Sequence, residues 1–133
     1  MPAKFFTVEE VNALLPEIEP LMRRLQQVNQ ELLEVQGRIA AWQWKVRSNG
    51  HLPLANLGAD TRRSQRLAEE IRDLVGQIEA LGCEVKDLEL GLVDFPALRN
   101  GRPIYLCWRL GESRVAYWHE LDTGFAGRRP IDW

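Results

Sequence analysis

Between Pro103 and His119 the chain carries Cys107, Arg109, Glu112 and His119, with two tryptophans and two tyrosines among them. Such side chains can ligate a metal, pair as nucleophile and base, or hold an anion. Thiolate, imidazole and carboxylate are donors that zinc accepts in tetrahedral geometry. Cys83, Cys107 and His119 with one carboxylate (Glu112, Asp94 or Asp87) therefore form a candidate donor set, reduced here to Cys107, His119 and Glu112. No Cys-x-x-Cys or His-x-x-x-His spacing gathers these donors locally, so the fold has to bring them together. A buried cysteine acting as a small hydrophobe, and a histidine hydrogen-bonded at a strand end, account for the same residues without a metal.

Two further chemistries can be drawn from these residues. Cys107 with His119 as base needs a thiolate in an electropositive, partly exposed pocket. Arg109 shares its strand face, but Leu106 and Trp108 flank Cys107 in a strand and no turn presents it. No catalytic residue is assigned. Arg102, Arg109, Arg128 and Arg129 stand near glycines, where guanidinium forks and turn N–H groups can hold phosphate or carboxylate. Phosphate-loop and dinucleotide patterns are absent. Asp87, Asp94, Glu112 and Glu120 offer these arginines ordinary pairing partners instead. The candidate ligand or anion site is Arg102, Cys107, Arg109, Glu112, His119 and Arg128. No cofactor is specified.

These residues have to be positioned by the elements around them. Thr7-Val-Glu-Glu10 reads as a capping box with Phe6 and Val11 at the staple positions, so a helix starts at Val8. Pro16 and Pro20 predict a short first helix over Val8 to Leu15 and then a break or kink. Leu21, Leu25, Val28, Leu32, Val35, Ile39, Trp42 and Val46 step by four and three, a heptad stripe on a helix about 40 Å long. Ser48 to Asp60 has loop composition, with Asp60 placed to cap the next helix. Leu67, Ile71, Leu74, Ile78 and Leu81 repeat the stripe, and Gly82 ends it. Two such helices fold back as an antiparallel hairpin.

Beyond Gly82 the period shortens. Cys83 to Leu90 suits a strand, and Gly91 to Pro96 continues it and is closed by the proline. A turn over Leu98 to Pro103 follows. Ile104, Leu106, Trp108 and Leu110 share one strand face, with Tyr105, Cys107 and Arg109 on the other. After the Gly111-Glu-Ser113 turn, Val115, Tyr117 and His119 share a face. No structure is assigned to Gly124–Trp133, rich in Gly and Arg.

The bulk properties exclude several classes. The 133 residues suit one domain, and 45% hydrophobic with 27% charged residues is an ordinary globular balance. Seventeen basic against nineteen acidic residues give a charge of −2, with no general attraction to nucleic acid or an anionic membrane. Arg62, Arg63 and Arg66 cluster, but Glu69, Glu70 and Asp73 follow at once. No run is long and apolar enough to span a membrane. A cytoplasmic protein with reduced cysteines is expected.

Several runs together resemble one family. They are Phe6-Thr-Val-Glu-Glu-Val-Asn-Ala-Leu-Leu-Pro16, Leu81-Gly-Cys-Glu-Val-Lys-Asp-Leu88, Gly91-Leu-Val-Asp-Phe-Pro96, Gly101-Arg102, Leu106-Cys-Trp-Arg-Leu-Gly-Glu112, Trp118-His-Glu120 and Gly124-Phe-Ala-Gly-Arg128. This set is similar to the prokaryotic DUF2203 family over nearly the whole chain. The resemblance implies a small prokaryotic cytosolic protein with a helical first half. It implies no activity, substrate or cofactor.

The expectation is therefore an α+β domain over residues 1–133. A helical hairpin of coiled-coil type with a short helix before it fills residues 8–82, a small antiparallel sheet fills 83–120, and 121–133 form a tail. The leading function is a non-enzymatic interaction or assembly module. It would self-associate as a homodimer through the hairpin, because the first long helix outruns the second near Trp42, Trp44 and Val46. The rival is a metal or anion site on the sheet around Cys107, Arg109, Glu112 and His119.

Overall fold

The computed structural model describes residues 4–49 and 54–133. Helix α1 runs from Val8 to Asn49. It begins at the capping box, where Thr7 N–H donates to Glu10 Oε1 at 3.0 Å and Glu10 N–H donates to Thr7 Oγ1 at 3.1 Å. Phe6 and Val11 are buried on either side of it.

The expected short first helix and break do not occur, because Pro16 and Pro20 both lie inside α1. Both rings are exposed and four residues apart, so the lost hydrogen bonds fall on the outer side. An interior proline costs about 3 kcal/mol. On the inner side Leu15, Ile18, Met22 and Leu25 are buried, at about 1.5–3 kcal/mol each. Burial outweighs the two prolines.

Helix α2 spans Leu54–Glu79. The expected loop is thus shorter: Ser48 and Asn49 close α1, Leu54 to Asp60 belong to α2, and Gly50 to Pro53 lie outside the described residues. Asp60 is not a cap. Its carboxylate accepts from Arg38 at 3.2 Å and from Trp42 Nε1 at 3.1 Å across the hairpin. Arg24–Glu70 and Arg63–Glu31 pairs run in the same antiparallel sense. Trp42 therefore has a partner, and the extra length of α1 lies at its N-terminal end, over the sheet. Trp44 remains 67% exposed.

Gly82 turns the chain with φ +104°, and a Cβ there would stand 3.2 Å from the Phe6 ring. Strands β1 (Glu84–Asp87), β2 (Leu92–Arg99), β3 (Arg102–Arg109), β4 (Tyr117–His119) and β5 (Arg129–Pro130) then form one antiparallel meander in chain order. Asn100 and Gly101 both adopt positive φ, the two-residue hairpin turn that follows strand twist. Pro96 does not close β2, which continues to Arg99. β1 pairs only as far as Asp94, so Pro96 sits on a free edge where its missing N–H costs nothing in the ladder. Its carbonyl accepts the Phe6 N–H at 2.7 Å.

The tail is structured as well. Phe125–Gly127 is a single 3-10 turn and β5 pairs with β4. One face of the sheet, with Phe95, Ile104, Leu106, Trp108 and Trp118, packs against α1 and α2 in a common core. Asn12 Oδ1 accepts the Val115 N–H at 2.8 Å, tying α1 to the approach to β4. The segment from Glu120 to Arg128 lies over the other face.

Candidate functional site

The site follows from strand alternation and register. Asp94 pairs directly with Cys107, and Cys107 pairs with Tyr117. Tyr105 pairs with His119, so His119 is two residues beyond Tyr117 and points to the same face. Three adjacent strands thus bring a carboxylate, a thiol and an imidazole to one patch. Their donor atoms lie within 4.8 Å of one another. Asp94 is 3% exposed, Cys107 1% and His119 2%.

Hydrogen bonding sets the histidine. A carbonyl can only accept, so His119 Nδ1–H donates to the Glu120 carbonyl at 2.7 Å. Nε2 then faces Asp94 Oδ2 at 3.0 Å, and one proton is shared between them. Burial pushes the Asp94 carboxyl above its ordinary value, against the pull of His119. Burial, and then the nearby Asp94 charge, push the Cys107 thiol up to about 12. This is not an activated cysteine, because both imidazole nitrogens are engaged elsewhere and the thiol is held protonated. It does match a metal-binding histidine, whose second N–H is fixed by a backbone carbonyl.

A cavity of about 150 Å³ opens over the three residues. Leu92, Leu121 and Phe125 supply apolar wall, and Lys86 and Tyr105 stand at its side. The neighbouring Glu84 carboxylate, with burial, pushes the Tyr105 phenol up to about 12. Arg128 holds the covering segment down. Its guanidinium lies 3.9 Å from the Tyr117 ring centre and 4.9 Å from that of Phe125. Nη2 donates to both Glu112 carboxylate oxygens at 3.0 Å and to the Cys107 carbonyl at 3.3 Å.

The residues singled out in the sequence are therefore divided. Cys107 and His119 meet. Glu112 does not join them, because its carboxylate is taken by Arg128 and by the Arg109 N–H at 2.7 Å. Asp94, one of the three alternative carboxylates, stands in its place. Asp87 instead accepts the Leu90 N–H. Cys83 is buried under the helices, with its thiol toward the Ile78 carbonyl. The arginines do not converge: Arg102 pairs with Glu120 at 2.8 Å, Arg128 pairs with Glu112, and Arg109 is exposed at the far end of β3. Phe125, Leu121 and Lys86 line the cavity without having been marked as site residues. The one signal for Asp94 is a lone carboxylate inside the apolar run Gly91–Pro96.

Helical hairpin and five-stranded meander define an α+β protein with a polar trio buried beneath a short covering segment. The chain belongs to the DUF2203 family, described as an uncharacterized conserved protein, which it matches over residues 4–131. No curated protein and no solved structure matches it.

Proposed function

We propose that the protein binds a divalent transition metal through Asp94, Cys107 and His119. The observation that carries this reading is the mutual approach of three different donor atoms within 4.8 Å at the floor of a cavity. Zinc is favoured by the mixed sulfur, nitrogen and oxygen set. Zinc bonds of about 2.0–2.3 Å call for side-chain adjustments on the order of 1 Å. The metal's charge displaces the thiol proton, reversing the effect of burial. Three protein donors leave one position toward the cavity, the pattern of catalytic rather than structural zinc. Protein purified without a histidine tag is expected to retain stoichiometric zinc, and Cys107→Ala and His119→Ala to lose it. Cobalt substitution is expected to give a thiolate charge-transfer band. Folded wild-type protein that retains neither metal after exposure to excess sinks the reading.

A second reading, self-association through a coiled-coil hairpin, is favoured by the exposure of Trp44 and Leu33 on α1. The expected uncovered seam at Trp42 no longer supports it. A monomeric mass by light scattering at high micromolar concentration would count against it.

A further inference from the structure

The face of α1 turned away from α2 is apolar over one stretch. Leu33, Gly37, Ala41 and Trp44 follow one another there at helical spacing, between the polar Gln30 and Ser48. All four are exposed, Leu33 at 50% and Trp44 at 67%. Gly37 costs the helix about 1 kcal/mol relative to alanine. Nothing within the chain requires it, since a Cβ there would meet no atom within 4 Å. Glycine and alanine between two large apolar side chains let a second backbone approach closely.

The charges beside this face identify the second helix. Glu34 and Lys45 stand about three turns apart and so share one flank. Neither is in an ion pair among the described residues, and Lys45 lies only over the Trp42 ring, at 5.0 Å. When two identical helices pair antiparallel, like flanks meet. Glu34 of each copy then faces Lys45 of the other, Leu33 packs beside Trp44, and Gly37 lies opposite Ala41. The midpoints of all three pairs fall between Arg38 and Ala40. Arg38, the remaining charge at that level, is already neutralised by Asp60 at 3.2 Å. A parallel pair would set Glu34 against Glu34 and Lys45 against Lys45, which like-charge repulsion opposes.

Resting on the self-association reading, we infer that two copies pair antiparallel through this face of α1, about a two-fold axis level with Ile39. The contact is isologous. The stretch from Leu33 to Trp44 is only about 17 Å long, so the dimer is weak. It leaves the two sheets, each with its donor trio, at opposite ends of the pair.

The test follows the mass of the full-length protein by light scattering as its concentration rises. The wild type is expected to pass from monomer to dimer. Trp44→Glu is expected to weaken association at least about tenfold. Glu34→Lys should weaken it about fivefold, and Glu34→Lys/Lys45→Glu should recover nearly wild-type association. These positions lie on the solvent side of the helix, so the fold is kept. A short thiol cross-linker should join two copies of Ala40→Cys but not of Ser48→Cys, whose positions lie about 27 Å apart along the antiparallel pair. Both native cysteines are buried. A dimer indifferent to Trp44→Glu, a double variant as weak as Glu34→Lys, or cross-linking of Ser48→Cys overturns this inference and leaves self-association standing. A monomeric mass up to high micromolar concentration removes self-association and this inference with it.

Discussion

The same two strands present very different faces. Toward the helices, β2 and β3 offer Val93, Phe95, Ala97, Ile104, Leu106 and Trp108; away from them they offer Asp94, Tyr105 and Cys107. At the centre of the sheet both faces are buried to a similar degree. They differ in what does the burying. Two helices with continuous apolar stripes cover the first, and a short segment latched by Arg128 covers the second. Apolar groups on the first face need only be excluded from water. Polar groups on the second need partners as well, and Asp94 and His119 supply each other. Burial alone therefore does not distinguish core from site; the demand for partners does.

That difference can be tested from the largest effect downward. Trp108→Ala empties a fully buried position on the helix side and removes the bond from its Nε1 to the Glu112 carbonyl. It should cost about 3–5 kcal/mol by urea unfolding. On the opposite face, His119→Ala strands the buried Asp94 and should cost about 3 kcal/mol. The double variant Asp94→Ala/His119→Ala should lose less than the two single losses together. Strict additivity would break the claim that the two groups act as one. Arg128→Met should cost about 1–2 kcal/mol, through the lost ion pair and ring stacking, and should expose residues 121–127 to proteolysis first. Cys107→Ala should cost about 1 kcal/mol yet abolish the cobalt–thiolate band, separating chemistry from stability on one side chain.

The smallest effect lies far from both faces. Hydrogen bonds from Arg38, then Trp42, hold the Asp60 carboxyl below its ordinary value. Its contribution is present above the unfolded carboxyl value, near pH 4, and is lost as pH falls toward the folded one. Asp60→Asn should flatten the fall in melting temperature on that acid side. An unchanged acid profile would show that the pair is fully screened.

The helix-facing half of this architecture was legible in the sequence, because its periods of 3.5 and 2 are imposed by apolar burial. Leu25, Val28 and Val35 on α1, and Leu67, Leu74 and Ile78 on α2, are buried where the stripes place them. Pro16 and Pro20 misled, because a local cost is visible in sequence and the packing that overrides it is not. Of the site, Cys107 and His119 were legible by type. Asp94 was one of three carboxylates until register put it opposite Cys107, and register is a property of pairing. Leu121 and Phe125 lie in a stretch whose composition gives no period, so the cover over the cavity could not be read.

The order of strands in the sheet is the order of the chain, and this bears on how the molecule assembles. Asp94 and His119 are 25 residues apart, whereas Asn12 and Val115, which join helix to sheet, are 103 apart. Closing a loop costs more entropy as it lengthens. The meander can therefore sample its register early, while docking of α1 waits on the longer closure. A single two-stranded hairpin is at best marginal in water, so register set by one pairing alone is provisional. The geometry of the trio is thus set by pairing between strands close along the chain, and the bond from Val115 to Asn12 ties that local arrangement to a helix far away in sequence.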